Sequence, residues 1–154
     1  MTDDPARLAA LLGHPARGRF DVIVRRQDGD PVVIRNHPLL DDGTPMPTRY
    51  WLVDPALRRA IDRLESAGGV REASAAVDPG EVALAHRRYQ AERDAAVPPS
   101  WPGPRPGGGV GGTRKGVKCL HAHYAWYLAG GDDPVGRWVD ERLAVDRVDI
   151  PPPR

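Results

Sequence analysis

Cys119, His121 and His123 alternate within the apolar run from Val117 to Leu128, the densest grouping of thiol and imidazole side chains in the chain. Two chemistries suit such a set. Thiolate and imidazole ligate zinc or iron, and a cysteine beside a base is a nucleophile. Secondary structure decides which members cooperate: on a strand all three share a face, whereas on a helix residues two apart diverge by about 200°. The run ends at Gly130-Gly131 and reads as a buried helix, so Cys119 and His123, at i and i+4, act together while His121 points elsewhere. Cys119 and His123 are therefore the catalytic candidates, with Cys119 in the first helical turn, where Lys115 and Lys118 favour the thiolate. As metal ligands the same pair needs partners, with His37, His86, Asp41 or Asp42 available. Against both uses stands the common fate of a lone cysteine, that of a small buried hydrophobe.

Just before this run, residues 98–116 read PPSWPGPRPGGGVGGTRKG and hold 12 of the chain's 34 glycines and prolines. A glycine-rich loop entering a helix presents several N–H groups to an anion, and the helix N-terminus adds partial positive charge. Gly108, Gly109, Gly111, Gly112 and Thr113 form the expected cradle, with Arg114, Lys115 and Lys118 supplying charge at its rim. From Ala95 to Gly131 there is no acidic residue, so this stretch carries +4 while the rest of the chain nets −3. The alternative is a solvated basic loop. Established phosphate motifs fit poorly: a proline-rich segment replaces the strand required before a dinucleotide fingerprint, and Thr113-Arg114 replaces the Lys-Ser/Thr of a Walker loop. The aromatic group Tyr124, Trp126 and Tyr127 suits base stacking or, more ordinarily, a helix core.

Composition narrows the field. The 154 residues fit one domain, and 22 basic against 21 acidic side chains disfavour a general nucleic-acid binder. One cysteine excludes an internal disulfide framework and a polycysteine zinc site. No apolar run approaches a membrane span, and Asp3 and Asp4 stand where a secretory leader would be positive, so a cytoplasmic protein without membrane insertion is expected.

The elements that position these groups follow from local signals. Asp-Pro recurs at Asp4, Asp30, Asp54, Asp78 and Asp133, and four of these open helical patterns, with aspartate as cap and proline in the first turn. Residues 20–26 and 32–35 are β-branched runs around Gln27-Asp28-Gly29-Asp30, a hairpin pattern, and residues 50–53 supply a third strand. Leu57, Ala60, Ile61 and Leu64 mark a helix that Gly68-Gly69 ends. Val82, Ala85, Tyr89 and Ala96 mark another, and Val135, Trp138, Val139 and Leu143 a last one. The expected fold is α+β: a small antiparallel sheet covered by about five helices. Residues 1–14 form an N-terminal helix, 15–146 the domain and 147–154 a flexible tail.

Several strings together resemble a known family: Asn36-His37-Pro38-Leu39-Leu40, Asp42-Gly43-Thr44-Pro45-Met46-Pro47-Thr48, Gly68-Gly69-Val70-Arg71-Glu72, Ala85-His86-Arg87-Arg88-Tyr89, and Gly108 through His123. They resemble the bacterial, mainly actinobacterial, domain of unknown function 501 over roughly residues 20–143. The resemblance implies no activity. Its genes often neighbour those of a septum-formation initiator and an exopolyphosphatase, which implies a phosphorylated small molecule, polyphosphate or a division protein as partner. The leading expectation is a domain binding a phosphate-type anion beside the Cys119/His123 helix. The alternatives are a non-enzymatic adaptor of the division machinery and a zinc or iron protein using Cys119, His123 and His37.

Overall fold

The structure, a computed structural model, describes residues 3–143 and 149–153. The elements run α1 (Asp4–Leu12), β1 (Phe20–Arg25), β2 (Pro31–Asn36), β3 (Tyr50–Leu52), α2 (Pro55–Ser66), α3 (Gly69–Ala76), α4 (Pro79–Ala95), a 3-10 turn at Val110–Gly112, α5 (Leu120–Leu128) and α6 (Pro134–Arg142). The strands form one antiparallel sheet in the order β1-β2-β3, making an α+β domain.

Aspartate capping sets the helix starts. Asp54, Asp78 and Asp133 accept N–H bonds from the first turns of α2, α4 and α6, and the proline that follows each has no N–H to strand. In α1 the cap is Asp3, one residue earlier than the Asp-Pro pattern implies. Asp30-Pro31 instead opens β2, where Gly29 at φ +94° closes the hairpin and Asp30 accepts the Arg26 N–H at 2.9 Å.

The described residues form six helices, in line with the about five expected, the additional one arising because Gly68-Gly69 both ends α2 and starts α3. Gly68 turns the corner at φ +93°, and a Cβ on Gly69 would lie 2.6 Å from the Leu64 carbonyl oxygen. Only glycine permits that approach. α3 turns little more than Val70 and Ala73 toward the core, too short an apolar stripe to register as periodicity.

Val33 and Leu52, paired across β2 and β3, join the main core with Leu57, Ile61, Tyr89, Tyr124, Leu128 and Val139. The next residue along β2, Ile34, packs with Leu8 of α1 and Val53 in a second cluster. Successive strand residues face opposite ways, so α1 covers one face and the later helices the other. Two carboxylate–guanidinium pairs tie α1 down, Arg7 to Asp30 and Arg25 to Asp4, each at 2.7 Å.

The tail expected at 147–154 falls partly outside the described residues. Within the described part it docks: Ile150 is buried in the main core, and the Asp149 carbonyl accepts from Gln27 N–H at 3.1 Å. No helix among the described residues is long and apolar enough to cross a membrane.

Candidate functional site

Two buried polar residues on the inward face of α4 shape the glycine-rich loop. Arg93 has no solvent exposure, and its Nη1 donates to the carbonyls of Gly108 at 2.8 Å and of Gly107 and Pro47 at 3.2 Å. Two turns earlier, His86 Nδ1 accepts the Val110 N–H at 3.1 Å. Its Nε2 must then carry the proton, which it donates to the Gly116 carbonyl at 2.8 Å. The loop presses so close that a Cβ on Gly109 would sit 2.5 Å from that of His86.

These contacts alter the expected anion cradle. The N–H groups of Gly109, Gly112 and Thr113 are spent on the carbonyls of Thr113, Gly109 and Val110, and that of Leu120, opening α5, on Glu65. The loop's cationic side chains remain. Gly108, Gly109, Arg114 and Lys115 line a cleft of about 460 Å³ with Arg87 and Gln90 of α4, and no carboxylate among the described residues lines it. Gly111, Gly112, Thr113 and Lys118 lie off it. Thr113 is buried, and Gly111 lines a second cleft.

That second cleft, of about 490 Å³, lies between α2, β3 and the start of α5, and Cys119 and His121 line it. Cys119 is not in the first helical turn: at φ −134° and ψ 113° it is the extended residue before α5. The helical spacing rule therefore does not apply to it, and its Sγ meets His121 Nδ1 at 3.7 Å instead of turning to His123. His121 Nε2 lies 2.9 Å from Asp62 Oδ1, and Glu65 approaches Nδ1 at 3.5 Å. Burial raises the Cys119 thiol pKa, but hydrogen bonding to His121, the Ala122 N–H and the His121 charge outweigh it, so the thiol titrates below its ordinary value. Burial lowers His121, yet hydrogen bonding to Cys119 and the charges of Cys119, Glu65 and Asp62 carry it above its usual range.

His123 has a structural partner. It is buried, and its Nδ1 lies 2.6 Å from Asp133 Oδ2, while Asp133 Oδ1 accepts the Val135 and Gly136 N–H groups that open α6. One carboxylate thus joins α5 to α6. His37 lies at the end of β2, bound to Arg19 at 3.0 Å and to the Leu39 carbonyl at 3.0 Å. The set Cys119, His123 and His37 is not brought together.

Of the proline-rich segment, Trp101 Nε1 donates to Pro104, and Arg105 donates to the carbonyls of Pro98, Pro99 and Trp101. The segment binds largely to itself. The model of a family described as Protein of unknown function (DUF501) matches residues 22–141. The chain belongs to that family. No curated protein and no solved structure matches it.

In this DUF501 domain, sequence reasoning missed Arg93, Arg87, Glu65 and Asp62, and it offered His86 only as a metal partner, whereas its ring holds the loop. Two of them left a trace: His86 and Arg93 follow the α4 face of Val82 and Tyr89 at helical spacing, and a cation on an apolar stripe signals a buried polar partner. Arg87, Glu65 and Asp62 lie on ordinary charged helix surfaces and left none.

Proposed function

We propose that this DUF501 domain binds a phosphorylated small molecule or polyphosphate in the cleft between α4 and the glycine-rich loop. One observation supports it above the rest. Arg87, Arg114 and Lys115 line a single concavity without a carboxylate, and none of the three has an ion-pair partner among the described residues. Cations gathered without counter-charge suit a multiply charged anion, and guanidinium groups meet phosphate oxygens two at a time. The cleft, about 460 Å³, falls within the usual size of small-molecule sites. Gln90 adds a polar side chain to the wall. His86 serves a different end, since both ring nitrogens are engaged in holding the loop.

Calorimetric titration of the full chain with phosphate, pyrophosphate, polyphosphate and nucleotides tests this. Pyrophosphate or a longer polyphosphate is expected to bind, more weakly as salt rises. Arg87→Ala and the double variant Arg114→Ala with Lys115→Ala should each weaken binding by about tenfold or more, the scale of one lost charge-assisted bond. All three side chains are exposed, so the variants retain the fold. Absence of binding by every one of these anions overturns the proposal.

A further inference from the structure

We propose that Glu65, Cys119 and His121 form a zinc site whose fourth coordination position opens into the cleft between α2, β3 and α5. Among the described residues these are the one set of three metal-ligating side chains whose ligand atoms converge, all within 4.8 Å of one another. They come from two distant parts of the chain, Glu65 near the end of α2 and the other two at the start of α5.

The separations fit a tetrahedral ion. Zinc bonds of about 2.3 Å to sulfur and about 2.0 to 2.2 Å to nitrogen and oxygen place S···N at about 3.6 Å and N···O at about 3.4 Å on the tetrahedron's edges. The observed Sγ···Nδ1 and Nδ1···Oε1 distances are 3.7 and 3.5 Å. The outer contacts also fit. Asp62 at 2.9 Å draws the imidazole proton to Nε2, leaving the Nδ1 lone pair facing Cys119 and Glu65. Glu65 Oε2 is steadied by the Leu120 N–H at 2.9 Å, leaving Oε1 for the ion. Charge points the same way: Cys119, Glu65 and Asp62 surround one imidazole, and a divalent ion balances the thiolate and the Glu65 carboxylate. Sulfur and nitrogen among the donors select zinc over magnesium or calcium.

Three protein ligands leave one position for water or substrate, the arrangement of catalytic zinc sites. Cys119 and His121 line the cleft of about 490 Å³, whose walls include Tyr50, Trp51 and Arg58. None of these residues belongs to the cationic cleft of the proposed function, so the two proposals stand or fall separately.

The test uses the full, untagged chain, stripped by a chelator and titrated with Zn²⁺ against a chromophoric competitor. One equivalent is expected to bind, at least 100-fold more weakly in Cys119→Ser and His121→Ala, and about 10- to 100-fold more weakly in Asp62→Asn, whose side chain acts only on the ligand. Glu65→Gln should lose at least tenfold, and His14→Ala, on the same cleft, should match the parent chain. Co²⁺ in place of Zn²⁺ should give a thiolate-to-cobalt charge-transfer band that vanishes in Cys119→Ser. Thermal unfolding of the stripped variants checks the fold. No stoichiometric zinc, or zinc binding that Cys119→Ser and His121→Ala both leave within threefold of the parent, overturns the site.

Discussion

Arg93 Nη1 donates to the carbonyl oxygen of Gly108 at 2.8 Å from a position without solvent exposure, so a core guanidinium holds the entry to the glycine-rich loop. The same group reaches Gly107 and Pro47, while Nε binds Asp94, so it ties α4 to two loops.

Arg93→Met fills a similar volume but leaves the carbonyls without their donor. It should cost about 2 to 4 kcal/mol of stability, the range for breaking a buried charged network. Arg93→Lys should recover less than half, because a single ammonium cannot reproduce the planar fork. Urea unfolding followed by tryptophan fluorescence measures both; a loss below about 1 kcal/mol for Arg93→Met would show that the loops are held by other contacts.

Asp133 makes a separable prediction because its two oxygens have different tasks. Asp133→Asn can keep the α6 cap through its side-chain carbonyl but loses the carboxylate at His123, whereas Asp133→Ala loses both. The expected costs are about 2 kcal/mol for asparagine and about 3 to 5 kcal/mol for alanine. Equal losses in chemical denaturation would mean that the α6 cap contributes nothing beyond the α5–α6 link.

Acid should release α1 before the main core. Hydrogen bonds from Arg25 and Arg7 hold the Asp4 and Asp30 carboxyls below their ordinary range. With folded values depressed, their contribution is full above the unfolded value of about 3.9 and is lost as pH falls through the lower folded values. Hydrogen exchange should therefore show constant α1 protection from neutral pH to about 5, then loss at about pH 4 and below while α4 and α5 stay protected. Loss of all three together would contradict this. High salt should weaken α1 docking in the same assay, since both pairs are partly exposed.

Much of the fold was legible from short-range signals. Asp54-Pro55, Asp78-Pro79 and Asp133-Pro134 start helices because cap and first turn are covalent neighbours, and Gly29 closes the hairpin for the same local reason. α3 was not legible, since a helix with so narrow an apolar stripe forms only when Gly68-Gly69 lets it fold back on α2. At the candidate sites, the basic residues of the loop were visible as composition. Their neighbour Arg87 was not, because it reaches the cleft from another element.

By itself the sequence determined the three strands, every helix but α3, and the concentration of positive charge between Ala95 and Gly131. Tertiary structure decided which groups meet. A helical reading paired Cys119 with His123, but an extended residue at the helix start turns the thiol toward His121. Packing of α5 on α2 then adds Asp62, 59 positions before His121, and Glu65, 55 positions before Leu120. Local propensity reaches only a few residues along the chain, whereas a polar cluster is assembled by the burial of apolar faces far apart in sequence.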